Sequence, residues 1–191
     1  PAAAGVDAAR IVGFAQNHDQ VGNRAGGERL SQLADTDRLR LAAALVACSP
    51  LAPMLFMGEE WGATTPFLFF SDHRDPRIAR ATSRGRMREF EAFGWRPEDV
   101  PDPQARSSFE RSRLDWSELD REPHRSLLRW HRRLLALRHE TSELRSGAPL
   151  AVEHDEAAGT LLLRRGPVRV TCDFSRRRVA VEKLGKRLDW E

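Results

Sequence analysis

Arg10-Ile11-Val12-Gly13-Phe14-Ala15 is a short apolar run that ends abruptly in polar Gln16-Asn17-His18-Asp19-Gln20. Runs of this length suit a strand buried on both faces, as in a parallel sheet. A glycine-containing loop, Gly22 to Gly27, follows. A helix is predicted next, with Asp35 or Thr36 as its N-cap. Leu39, Ala42, Ala43 and Val46 fall at helical spacing along it, and Ser49-Pro50 ends it. A second apolar run, Pro53-Met54-Leu55-Phe56-Met57-Gly58, is again closed by acidic residues, Glu59-Glu60. Strand, helix, strand, with polar groups at each strand's carboxyl end, is the βαβ grammar of an α/β fold. Ile11–Ala15 and Met54–Met57 are therefore expected as parallel strands.

Residues 62–121 are less regular, with apolar patches at Phe67-Leu68-Phe69-Phe70 and Phe90 to Trp95 set in charged, proline-containing sequence. A structureless loop of that length is unusual within a domain, so short helices are expected there. Asp120 opens the strongest helical pattern, with Pro123 in its first turn. Its stripe is Leu127, Trp130, Leu134 and Leu137, broadened by Leu128 and Leu135, and it stops near Ser146-Gly147. From Pro149 the pattern changes. Leu150-Ala151-Val152, Thr160 to Leu163, Val168 to Thr171 and Arg178 to Val181 alternate with turn residues such as Gly159 and Gly166-Pro167, which indicates antiparallel β. There is no internal repeat and no low-complexity tract.

The 191 residues fit one domain, or one and part of another. No apolar run approaches the ~18 residues of a spanning helix, so no membrane association is expected. Pro1-Ala2-Ala3-Ala4-Gly5 lacks the charged and apolar regions of a signal peptide and has no initiator Met, which suggests a chain processed, trimmed or cut from something longer. Cys48 and Cys172 are too few for a disulfide framework or a cysteine zinc site, and read as core residues of a cytoplasmic protein. Net charge is +3, and Lys183 and Lys186 are the only lysines among 31 Lys and Arg. The arginines alternate with acids, as in Arg86-Met87-Arg88-Glu89, where a nucleic-acid binder concentrates charge on one face. No nucleic-acid partner is expected.

Residues at the carboxyl ends of strands line the ligand crevice in α/β folds. Asn17-His18-Asp19-Gln20 brings two amides, an imidazole and a carboxylate there, groups that suit a hydroxyl-rich ligand; the bland alternative is a polar turn capping a strand. Glu59 occupies the matching place on the next strand. Paired carboxylates perform glycoside hydrolysis, but a buried Glu is also a frequent partner of arginine or backbone N–H groups, and that role is favoured for Glu59. Phe67 to Phe70 with Ser71-Asp72-His73 reads as core for most of its rings, with a sugar-stacking platform as the alternative. His124, His131 and His139 are too far apart for a helical metal site. Asp173 reads as a turn residue. No metal or other cofactor is implied.

Phe14-Ala15-Gln16-Asn17-His18-Asp19-Gln20-Val21-Gly22-Asn23-Arg24 resembles the last catalytic motif of the α-amylase superfamily, at the end of barrel strand seven. In its particular form, and with Arg29-Leu30-Ser31-Gln32-Leu33, Pro53 to Trp61 and Ser108 to Trp116, it is similar to the maltooligosyltrehalose trehalohydrolase family. The resemblance covers about residues 10–145. It implies the C-terminal portion of a (β/α)8 TIM barrel (residues 1–147) followed by a small antiparallel β domain (148–191). It implies Asp19 as the transition-state stabiliser, with His18, Gln20, Val21, Gly22 and Asn23 contacting substrate. The implied substrate is an α-glucan oligosaccharide with a trehalose end, cleaved at the adjoining α-1,4 bond in trehalose biosynthesis. The family's nucleophilic aspartate and acid glutamate lie on strands four and five, and nothing here resembles either motif. The alternatives are part of a glycogen branching enzyme, or a non-catalytic carbohydrate-binding remnant. An incomplete barrel leaves both sheet edges unpaired, which argues against folding in isolation.

Overall fold

The computed structural model describes residues 7–146 and 148–188. In chain order these form β1 (Val12–Gly13), α1 (His18–Gly22), α2 (Leu30–Leu33), α3 (Thr36–Cys48) and β2 (Ala52–Pro53). They continue through α4 (Pro76–Glu91), α5 (Arg106–Arg111), α6 (His124–Glu140) and α7 (Ser142–Arg145). Five strands close the chain: β3 (Ala151–Asp155), β4 (Thr160–Arg165), β5 (Val168–Asp173), β6 (Arg178–Lys183) and β7 (Lys186–Arg187). They belong to two compact units, one of Pro1–Ala15, Ala34–Gly62 and Ser117–Glu191, the other of Gln16–Leu33 and Ala63–Trp116.

In the first unit β1 and β2 pair in parallel, Val12 opposite Ala52 and Gly13 opposite Pro53. The Ala52 N–H donates to Ile11 O (2.8 Å) and the Met54 N–H to Gly13 O (2.9 Å). The parallel sense is as expected, but the strand expected buried at Ile11–Ala15 shortens to Val12–Gly13 with Ile11, Val12 and Phe14 exposed, and none forms at Met54–Met57, because the ladder closes at Pro53. Beyond it the Phe56 N–H donates to the Glu59 side chain (3.2 Å) instead of a neighbouring strand. Gly58, at φ 85°, then turns the chain into a 3-10 turn at Glu59–Trp61.

Asp35 caps α3, its Oδ1 accepting the Arg38 N–H at 3.0 Å. The buried face of α3 is Leu41, Ala43, Ala44, Ala47 and Cys48, rotated from the expected Leu39, Ala42, Ala43 and Val46. Residues 41–48 are apolar all round, so periodicity alone does not select a face. α6 starts at His124, after a separate 3-10 turn at Trp116–Asp120, and buries the expected Leu127, Trp130, Leu134 and Leu137; Leu135 is exposed.

The five strands form an antiparallel sheet in sequence order. On β5, Val168, Val170 and Cys172 are buried while Arg169 faces water, the alternation of a sheet covered on one face. These residues, Val179 and Val181 of β6, and the buried faces of α3 and α6 make one core. Burial pushes the Cys48 thiol up to about 12 and the Cys172 thiol to about 11. Both are therefore protonated, unreactive packing groups. Asp173 closes a turn, its Oδ1 accepting the Arg176 N–H at 2.8 Å.

In the second unit Asp75 caps α4 by accepting the Arg77 N–H (2.8 Å), with Pro76 at the first helical position. At 16 residues α4 is longer than the short helices expected here. Gly27 sits at φ 64°, and a Cβ there would lie 2.6 Å from Phe67 O, which the backbone cannot yield. Its own carbonyl accepts the Phe67 N–H at 2.8 Å. Gly27→Ala is expected to destabilise this unit by about 2–4 kcal/mol. Denaturant titration checks this, and an unchanged midpoint would refute it.

Candidate functional site

The motif 17–24 lies in the second unit. Asn17 is extended and its Oδ1 accepts the Gln20 N–H at 2.9 Å, which starts α1. This amide, read as a possible ligand group, is thus engaged as an N-cap. Gln16 is buried and likewise engaged, its Oε1 accepting the Leu30 N–H at 2.9 Å.

The one-turn helix then presents two kinds of residue. His18 and Asp19 stand out from it, with side chains 69% and 71% exposed and His18 Nε2 3.2 Å from Asp19 Oδ1. Gln20 is also exposed. Val21 and Gly22 are buried. Arg86 of α4 fixes the helix end, its Nη2 donating to Gly22 O and its Nη1 to Asn23 Oδ1 (3.1 Å) and Glu89 Oε2 (3.1 Å). Its guanidinium also lies over the Phe69 and Phe90 rings, 5.0 and 4.4 Å from their centroids. Burial lowers the Arg86 pKa below its ordinary value, and Glu89 opposes that shift. Sequence reasoning missed Arg86. Its only signal was a position among interleaved charges that reads as solvated.

Glu59 lies in the first unit. It is buried, and its Oε2 accepts the Phe56 N–H, the backbone-partner role favoured from sequence. The turn that carries it is locked from two sides. The Trp61 indole donates to the buried Glu118 carboxylate (3.1 Å), and Trp61 O lies 2.8 Å from His124 Nδ1. His131 is buried, with Nδ1 3.0 Å from Leu127 O, and desolvation lowers its pKa while that hydrogen bond and then Glu60 oppose the shift. Among the described residues no three His, Cys, Asp or Glu side chains group as metal ligands. No helix among them is long and apolar enough to cross a membrane.

The rings expected as core at Phe67 to Phe70 are not: Phe69 and Phe70 are exposed and Phe67 half-buried, and only Leu68 between them is buried. The rings lean edge-on, Phe67 on Phe70 and Phe70 on Phe109, with centroids 5.8 and 5.4 Å apart. Leu68 is pinned at its N–H by Ser112 Oγ (3.0 Å), so it points inward and its neighbours outward.

No protein-family model matches the chain. It is 54% identical over 163 residues to malto-oligosyltrehalose trehalohydrolase of Arthrobacter ramosus, covering 85% of the chain and 28% of that protein. The Rhizobium enzyme of the same name is 49% identical over 185 residues, covering 96% of the chain and 31% of the relative. The Mycobacterium tuberculosis one is 41% identical over 189 residues, covering 97% and 33%. Among solved structures, a Salmonella typhimurium protein assigned as an alpha amylase superposes with TM-score 0.70 at 35% identity, covering 92% of the chain and 30% of that protein. A point mutant of trehalulose synthase superposes at TM-score 0.51 and 17% identity, covering 86% and 35%, a likeness of fold alone. The chain spans 28 to 33% of the length of these three curated relatives, and over that span it is a relative of the malto-oligosyltrehalose trehalohydrolases, which are glycosidases.

Proposed function

We propose that the chain is the C-terminal part of a glycosidase that hydrolyses the α-1,4-glucosidic bond next to the trehalose end of maltooligosyltrehalose. The product is trehalose, made in the cytoplasm as a biosynthetic step. In this reading residues 1–147 supply the last strands and helices of a (β/α)8 barrel, and 148–191 its small β domain. Asp19 carries the proposal: a carboxylate held out on a pinned one-turn helix, in a sequence similar to the trehalohydrolases. An anion fixed beside the reacting sugar stabilises the developing oxocarbenium charge more than the ground state. His18 and Gln20 offer hydrogen bonds to hydroxyls beside it. Exposed Asn23 extends that surface, and the buried Val21 and Gly22, expected at the substrate from the resemblance, hold the exposed half in place, Gly22 and Asn23 through Arg86.

The test is incubation of the full-length parent with maltooligosyltrehalose. Release of free trehalose is expected. Chain transfer without trehalose would mean a glucan transferase, and no turnover at all would leave only carbohydrate binding.

A further inference from the structure

A cavity of about 520 Å³ lies in the second unit, lined by Phe70, Ser71, Asp72, Gln104, Arg106 and Phe109 among others. None of the motif residues 18–23 lines it. We infer that this cavity is a second carbohydrate site that takes one or two pyranose rings of a neutral α-glucan. The inference rests on the glycosidase reading above for the identity of the glucan.

Three observations carry it. The volume is that of a small-molecule site, for which about 300–1,000 Å³ is usual. Its apolar wall is aromatic and open, Phe70 being 36% and Phe109 50% exposed, with the rings edge to face at 73°. Such rings match the C–H face of a sugar, an amphipathic ring with hydroxyls at its edge. The polar wall is built in advance. Asp102 Oδ1 accepts both the Ser83 hydroxyl (2.6 Å) and the Gln104 N–H (2.9 Å), and Asp102 O accepts the Ser108 hydroxyl (2.6 Å). Gln104 in turn takes the His73 N–H on its Oε1 (3.2 Å) and donates from Nε2 to Ser71 Oγ, while the Ser71 N–H donates to Pro103 O (2.8 Å).

This network fixes the walls before any ligand arrives, so little ordering entropy is lost on binding. It leaves the exposed Asp72 carboxylate and the terminal nitrogens of Arg106, whose Nε is bound to Glu110 at 2.7 Å, at the mouth. The lining residues thus mix one carboxylate and one guanidinium, already paired to Glu110, with amide and hydroxyl groups, a set suited to a ligand rich in hydroxyls. The site adjoins the motif through Phe67, whose ring packs on Phe70 and would sit 3.8 Å from a Cβ at Gly22.

The experiment uses the full-length parent, with maltoheptaose as a calorimetric probe and maltooligosyltrehaloses of increasing length as substrates. Phe109→Ala and Asp72→Asn are each expected to weaken maltoheptaose binding by about tenfold. They are expected to raise KM on the longest substrates more than on the shortest, and to leave Tm unchanged because both residues are exposed. Unchanged binding and KM in a parent that releases trehalose would overturn the second site and leave the glycosidase reading standing. Weakened binding in a parent that releases no trehalose would do the opposite. A fall in Tm of several degrees for Phe109→Ala, with binding intact in both variants, would mean that the cavity is filled by another part of the parent, and would overturn the inference.

Discussion

On the proposed reading, Asp19→Ala in the full-length parent is expected to lower turnover of maltooligosyltrehalose by about a hundred- to a thousandfold, the scale of losing one preorganised electrostatic contact to a transition state. Stability is expected to change little. The Asp19 side chain is 71% exposed and meets His18 only as a surface pair, so its removal disturbs no packing. Near-normal turnover would remove the residue on which the functional reading turns. The 191-residue chain alone is expected to release no trehalose. Retaining hydrolysis needs a nucleophile and an acid about 5–5.5 Å apart, and Glu59 is buried and engaged with the Phe56 N–H. Trehalose release by the isolated chain, lost on Glu59→Gln, would show that Glu59 is catalytic.

The largest expected effect on stability is at Arg165. It sits on β4, only 2% exposed, and its guanidinium donates to four backbone carbonyls: Ser49 (2.7 Å), Leu144 (3.3 Å), Glu143 (2.7 Å) and Ser146 (2.7 Å). Burial lowers its pKa from the ordinary value. Arg165→Met fills much of the volume but leaves carbonyls without donors, at about 1–3 kcal/mol for each one that stays dry. A loss of about 3–5 kcal/mol is expected, read as a shift of the denaturant midpoint. Arg165→Lys is expected to recover only part of it, since an ammonium cannot span four acceptors as a planar fork does. Equal stability of wild type and Arg165→Met would show that these carbonyls find other partners.

Where the signal is local, the sequence announces the structure. Asp35 marks the start of α3, Leu127 to Leu137 mark the buried stripe of α6, and alternation with glycine turns marks β3 to β6. Asp19 and His18 were legible as exposed polar residues following an apolar run. What was not legible depends on distant partners. Arg86 and Arg165 look like any other arginine in a chain rich in them, and only the aromatic rings and carbonyls brought to them in the fold make them interior groups. Glu118 has no sequence mark because its partner, the Trp61 indole, is far away along the chain. The short ladder at Ala52–Pro53 depends on where a side chain, Glu59, takes over a backbone N–H. α4 was the avoidable miss, since Asp75-Pro76 is a legible cap and first turn.

The Ser49 carbonyl receives two guanidinium groups, Arg138 from α6 (2.9 Å) and Arg165 from β4 (2.7 Å). Arg138 also holds Ala47 O and Leu51 O, both at 2.8 Å. Lifting the antiparallel sheet away therefore strips one of the two donors from the Ser49 carbonyl and bares the Glu143, Leu144 and Ser146 carbonyls in the same event. Amides in α3, α6 and the sheet are therefore expected to exchange with solvent at one common opening free energy, as a single cooperative unit. The helices before Ser146 and the sheet after Ala148 are different architectures, and yet shared arginine contacts bind them as one body.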